Sequence, residues 1–79
     1  MIVTILPFAS AKTVLKYDKK QVSLKEGTSV SSLMEELVSE NSPLAGMKLL
    51  FAVNAEYVEA NHILADGDEL AIFPPVSGG

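Results

Sequence analysis

With 79 residues, 48% of them apolar, the chain can build one hydrophobic core and no second domain; at this size folding buries only about 60% of the surface that the unfolded chain exposes. The net charge is −4 and there is no arginine, which sets the chain against nucleic acid: phosphate is repelled, and the guanidinium forks that read guanine are missing. Cysteine is absent and His62 is the only histidine, so these residues give no zinc-type site to argue for.

Residues 2–6, Ile2-Val3-Thr4-Ile5-Leu6, are apolar at nearly every position, which predicts a strand covered on both faces. No base precedes the run and no small-residue cleavage site follows it, so a secretory leader is not expected. The run is also far too short to span a bilayer; with the missing cysteines, the expectation is a cytoplasmic protein that works away from membranes. Pro7 ends the strand, and residues 8–15 form a connection with room for a helical turn. Gln21-Val22-Ser23-Leu24-Lys25 alternates cleanly, as a strand with one solvated face does, and is entered through the polar turn Asp18-Lys19-Lys20. Lys12, Lys16, Lys19, Lys20 and Lys25 crowd this first third, while nine of the ten acids lie from Glu26 onward; the lysine run reads as a solvated face.

Glu26-Gly27-Thr28 breaks the second strand, and a helix signal follows. Ser29 is placed as its N-cap, and Val30, Leu33, Met34, Leu37 and Val38 fall at i, i+3, i+4, i+7 and i+8. Ser31, Ser32, Glu35, Glu36 and Glu40 take the opposite face, and Pro43 marks where the helix has ended. Leu49-Leu50-Phe51-Ala52-Val53 is a second apolar strand. Asn54-Ala55-Glu56 turns into a short strand at Tyr57-Val58. Ala65-Asp66-Gly67-Asp68 is a turn with Gly67 available for positive φ, and residues 69–73 form the last strand, apolar on both faces.

The order is strand, strand, helix, strand, short strand, strand. The first and last strands both look central, so they are expected to pair. One amphipathic helix cannot wind both faces of a parallel sheet, and it must cover one face of a mixed sheet instead. The expected fold is therefore α+β, the ubiquitin-like β-grasp, with residues 1–73 as the domain and residues 74–79 as a protruding C-terminal tail. That tail is Pro74-Pro75-Val76-Ser77-Gly78-Gly79. Two prolines fix φ and favour an extended stem, two glycines carry no side chain, and six extended residues reach roughly 20 Å. The pattern is that of a carboxylate delivered on an arm; the plainer alternative is a frayed terminus.

The segment from Leu64 through Ala65-Asp66-Gly67-Asp68-Glu69-Leu70-Ala71-Ile72-Phe73 to the closing Pro-Pro-Val-Ser-Gly-Gly resembles the end of the small subunit of molybdopterin synthase, a family of ubiquitin-like sulfur carriers. Phe8-Ala9, Phe51-Ala52-Val53-Asn54 and Glu56-Tyr57-Val58 extend the resemblance along the chain. Where that family often carries an arginine and a glycine, this chain has Lys12 and no glycine between Ala9 and Gln21.

The resemblance implies a chemistry for a carrier without cysteine. The sulfur would sit on the C-terminal carboxyl of Gly79. An E1-like activating enzyme would adenylate that carboxyl with ATP, and a persulfide donor would convert it to a thiocarboxylate, the thioglycine that is the carried group. The large subunit would then take the sulfur for precursor Z, a cyclic pyranopterin monophosphate, and build the dithiolene of the molybdenum cofactor. Two small and two large subunits would form a heterotetramer whose active site lies on the large subunit, and the chain alone would bind no cofactor and no metal. Pro74, Pro75, Val76, Ser77 and Gly78 would form the tail that enters the partner's channel, with the two prolines aiming it and Gly78 giving side-chain-free passage. Phe8 and Phe73 resemble positions that pack against partners, and each is equally readable as ordinary core. Asn54 is read as shaping a turn, Asp66, Gly67 and Asp68 as structural, and His62 as a surface residue without chemistry. A thiamine-pathway sulfur carrier, a ubiquitin-like protein modifier and a plain interaction module remain as alternatives.

Overall fold

The computed structural model of the protein describes residues 1–75; Val76, Ser77, Gly78 and Gly79, most of the expected tail, lie outside the described residues. In chain order the elements are β1 (Ile2–Pro7), α1 (Ser10–Leu15), β2 (Lys20–Ser23), α2 (Val30–Glu40), a 3-10 helix (Ser42–Gly46), β3 (Leu50–Val53), β4 (Glu56–Val58) and β5 (Glu69–Phe73). The strands form one mixed sheet of order β2-β1-β5-β3-β4. β1 and β5 run parallel at its centre, and the other neighbours are antiparallel. This is the expected β-grasp: the first and last strands pair, and the first hairpin stands at one side.

Helix α2 forms where the apolar spacing places it. The Ser29 hydroxyl accepts the Ser32 N–H at 3.1 Å, as an N-cap should. Two more N–H groups of the first turn are satisfied from elsewhere in the chain: Val30 donates to the His62 carbonyl at 2.9 Å and Ser31 to the Ala60 carbonyl at 2.8 Å. Val30, Leu33, Met34 and Leu37 are buried in one core cluster with Val3, Ile5, Val53, Leu70 and Ile72. At the other end the Asn41 side chain and backbone both donate to the Leu37 carbonyl, and the chain passes directly into the 3-10 helix. Pro43 sits inside that helix, near its start, where its missing N–H is not needed.

Two local expectations need correction, those for Pro7 and for the bounds of the second strand, while the helical turn allowed for in residues 8–15 is present. Pro7 does not end β1 but is its last member, buried and in register with Ile72. Its missing N–H costs little, because the next donor, Phe8, bonds to the Ile72 carbonyl at 2.9 Å. Residues 10–15 form a short helix, with Ala11 and Leu15 buried beneath it. The second strand starts at Lys20 and stops at Ser23, one and two residues before the expected bounds; Thr28 then closes a tight turn, its N–H and hydroxyl both donating to the Lys25 carbonyl.

The strands predicted to be covered on both faces are covered on one. In β1, Val3, Ile5 and Pro7 are buried, whereas Ile2 is exposed and Thr4 and Leu6 are half-buried. In β5, Leu70 and Ile72 are buried and Ala71 and Phe73 are half-buried. The face opposite α2 therefore carries apolar side chains, and among the described residues it has no covering layer. No helix among the described residues is long and apolar enough to cross a membrane.

Candidate functional site

The site centres on the end of β5, where the tail begins. Register assembles it. Leu6 lies opposite Ala71 and Pro7 opposite Ile72, so Phe8 follows β1 at the same end of the sheet at which Phe73 closes β5. On the other side of β5, Leu50 pairs with Phe73 and Ala52 with Ala71. Ala52 also faces Tyr57 on β4. Strand alternation puts Leu6, Ala71, Phe73, Leu50, Ala52 and Tyr57 on the open face. Phe8 is 51% exposed and Tyr57 79% exposed. The structure thus places the two aromatic residues that sequence singled out, Phe8 and Phe73, at one end of the sheet, and adds one aromatic residue, Tyr57, and one aliphatic residue, Leu50, to the open face.

Tyr57 and Phe73 meet edge-on, with ring centroids 5.8 Å apart and planes at 63°. Their strands are not neighbours, so the Tyr57 ring leans across β3, over the small side chain of Ala52. Beyond Phe73 the ladder cannot continue in the ordinary way, because Pro74 has no N–H to donate. Pro74 is half-buried and Pro75 exposed. The stem therefore leaves the sheet beside an uncovered apolar patch. Gly79, expected to carry the sulfur, and Val76, Ser77 and Gly78, expected to enter the partner's channel, fall outside the described residues.

A backbone feature adjoins this patch. Ala9 has φ 53° and ψ −127°, a region that favours glycine and strains a residue with a Cβ. The bend it makes turns the chain from β1 into α1, and the Ala9 carbonyl accepts from the Thr13 N–H at 3.1 Å. Lys12, on α1, pairs with Asp18, and that contact holds the Asp18 carboxyl below the usual carboxylate range by hydrogen bond and charge. Lys12, Lys16, Lys19, Lys20 and Lys25 are all exposed, as the solvated-face reading had it. Lys20 also stands over the ring of Tyr17, 5.7 Å from its centroid. The Tyr17 hydroxyl is buried without a hydrogen-bond partner, and desolvation, with Glu40 nearby, pushes its pKa up.

At the opposite end of β5 the remaining candidates are structural, as expected. Asn54 and Ala55 both have positive φ, 51° and 71°, and make the two-residue turn between β3 and β4. Asn54 donates its own N–H to the Glu69 carbonyl at 2.9 Å and accepts the Glu69 N–H on its side-chain oxygen at 3.0 Å. Its amide also binds the buried Asp68, whose other oxygen accepts the Ala65 N–H at 2.8 Å. The Asp66 carboxylate accepts the Ile2 N–H at 2.6 Å, and Gly67, at φ 86°, donates to the Ile2 carbonyl at 2.8 Å. His62 serves through its backbone carbonyl, at the start of α2.

Sequence reading missed Tyr57 and Leu50 because each looked like ordinary strand. The signal was available: a strand position apolar on the face away from the helix has no internal partner.

A model of the ThiS family matches residues 5–79. The molybdopterin synthase sulfur carrier subunit of Escherichia coli (strain K12) is 36% identical over 81 residues, which takes in 98% of this chain and 99% of that one. Among solved structures, SAMP1 from Haloferax volcanii is similar across 100% of both chains, with a TM-score of 0.82 and 26% identity. The protein-protein complex of subunits 1 and 2 of molybdopterin-converting factor from Helicobacter pylori 26695 contains a similar chain, with a TM-score of 0.68, 24% identity and 100% of both chains covered.

Proposed function

The chain belongs to the ThiS family, and from that membership we propose that it is the sulfur carrier subunit of a molybdopterin synthase. The observation that carries this reading is the 36% identity, over 98% of this chain, to the molybdopterin synthase sulfur carrier subunit of Escherichia coli, and the family match runs on through the closing Pro-Pro-Val-Ser-Gly-Gly to Gly79. The sequence supplies no thiol, so the reactive group is the Gly79 carboxyl.

A carboxylate does not yield to a sulfur nucleophile, because oxide is a poor leaving group. Attack of the Gly79 carboxylate on the α-phosphate of ATP, in an E1-like activating enzyme, gives an acyl adenylate and pyrophosphate. The outer sulfur of a persulfide donor then attacks the acyl carbon and expels AMP. A thiol takes up the donor sulfur of the resulting acyl disulfide, and Gly79 is left as a thiocarboxylate. In the large subunit the thiocarboxylate sulfur displaces an oxygen substituent from a carbon of precursor Z, and water then attacks the acyl carbon, breaks the acyl C–S bond, leaves the sulfur on the precursor and restores the Gly79 carboxylate. Two loaded chains supply the two sulfurs of one dithiolene.

The geometry supports this role in two ways. Phe73 and Pro74 start the tail at the rim of an exposed apolar patch, as an arm that enters a partner requires. The patch itself has the character of a docking face, with Phe8, Leu50, Tyr57 and Phe73 on it. The partner proposed for it is the large subunit, in a tetramer of two small and two large chains; the similar chain from Helicobacter pylori, solved as a complex of subunits 1 and 2, supports a large-subunit partner. The carrier would act in the cytoplasm, and ATP and the persulfide would be handled by its partners.

The test is mass spectrometry of the chain after incubation with its activating enzyme, ATP and a sulfur donor. One oxygen should be replaced by one sulfur, at Gly79, and a chain without Gly79 should gain nothing. The likeness to SAMP1 favours a second reading, a modifier joined to lysines through the same carboxylate. That reading predicts a branched conjugate in place of the sulfurated small molecule.

A further inference from the structure

We propose that Tyr57 is a positioning residue for the carrier arm: its ring holds Phe73, the last paired residue of β5, and so fixes the direction in which Pro74 and Pro75 leave the sheet. The proposal rests on the sulfur-carrier reading for its function, though not for its geometry.

Leu50 and Phe73 are the last pair between β3 and β5. The end of a ladder is where a strand opens first. Pro74 cannot donate a further backbone bond, so what restrains Phe73 beyond its own pairing is side-chain packing. The packing comes from two strands away. Ala52 of β3 lies opposite both Tyr57 and Ala71, so the sheet surface is low on the Tyr57 side, while Leu50 stands beside Phe73 on the same face. The Tyr57 ring crosses that low ground and meets Phe73 in the edge-to-face arrangement that aromatic quadrupoles favour, at 5.8 Å.

Tyr57 remains 79% exposed, so burial does not account for an aromatic ring at this place. The contact lies one peptide bond from Pro74, whose fixed φ transmits the orientation of Phe73 to the stem. A small swing at Phe73 is multiplied along the arm, and a misplacement of 1 Å at a reacting group can cost about 10²-fold in rate.

The experiment uses the full-length chain as wild type, Tyr57→Ala and Tyr57→Phe, with two measurements on each. One is amide hydrogen exchange at Leu50 and Phe73. The other is the steady-state adenylation of the chain by its activating enzyme with ATP, read as kcat and KM. The Tyr57→Ala chain should exchange about 2- to 10-fold faster at this pair, the range that an aromatic contact is worth. Its kcat should fall about tenfold or more, since aim is lost, and a rise in KM beside that fall would reflect the ring's place on the docking face. The Tyr57→Phe chain, which keeps the ring, should match wild type in both. Unchanged exchange in Tyr57→Ala overturns the proposal. So does a raised KM with kcat intact, which would make Tyr57 a docking contact, or a Tyr57→Phe chain as impaired as Tyr57→Ala. A wild-type chain that is never adenylated defeats the sulfur-carrier reading instead, and the exchange measurement alone then decides whether Tyr57 holds Phe73.

Discussion

Asn54 and Asp68 are 14 residues apart in sequence, and the side-chain amide of the first donates to the carboxylate of the second at 3.0 Å. Through this bond the turn between β3 and β4 is tied to the start of β5. Asn54→Gly keeps the positive φ but leaves a buried carboxylate oxygen and the Glu69 N–H short of partners, and should cost about 1–3 kcal/mol. Asn54→Ala should cost roughly 1–2 kcal/mol more, because alanine resists that φ. Urea unfolding of both variants measures the difference, and equal values would remove the backbone contribution.

Leu33 is 2% exposed, at the centre of the α2 contact with the sheet. Leu33→Ala should destabilise the domain by about 2–5 kcal/mol, a large part of what so small a core supplies. The shift in urea midpoint at constant slope checks this.

Tyr17 gives a pH dependence with a definite sign. Its folded pKa is raised above the ordinary tyrosine value of 10.0. The folded state therefore binds the proton more tightly than the unfolded one, so the contribution is full below the ordinary value and is lost as pH rises through the folded value. Stability should fall with rising pH in that alkaline window, and Tyr17→Phe should flatten the fall. Since the hydroxyl is buried without a partner, the same variant should be no less stable than wild type at neutral pH.

Asp18 has the opposite sign. Lys12 lowers its folded pKa, so what the pair contributes is present above the unfolded value and is lost as pH falls through the folded one. An NMR titration of the Asp18 carboxyl should move back to the ordinary range in Lys12→Ala. A titration unaltered by that substitution would mean that the ion pair is not formed in solution.

Removal of Gly79 should abolish thiocarboxylate formation and leave the urea midpoint unchanged, because the core is assembled from residues well before it. A truncated chain that still supports dithiolene formation would require the sulfur to travel by another route.

The fold was legible because its largest signals were periodic. Val30, Leu33, Met34 and Leu37 announced one helix with one apolar face, and the doubly apolar outer strands announced a central pair. Pro7 was misjudged, since proline is tolerated in a ladder when the neighbouring donor does the bonding, and only the register shows which donor that is. The short helix over residues 10–15 carries too few turns for a periodic signal. Phe8 and Phe73 were singled out through resemblance, and the register places them at one end of the sheet. Tyr57 was not singled out, because the contact that distinguishes it spans β3, and such a contact exists only once the strand order is known.

The central pairing of β1 with β5 also governs when the protein can exist at all. Residues 2–7 have to wait, as the chain emerges from the ribosome, until residues 69–73 have been made, and pairing across so long a sequence separation is slow to form. Until then β1 has only the β2 hairpin on one edge, and its apolar residues are open to other chains. The partner that completes the sheet is also the element that bears the stem. Folding is thus a check on synthesis: a chain broken off before β5 lacks the central strand, Leu70 and Ile72 of the core, and the stem that follows them, so no stable domain is released without the element that bears Pro74 and Pro75.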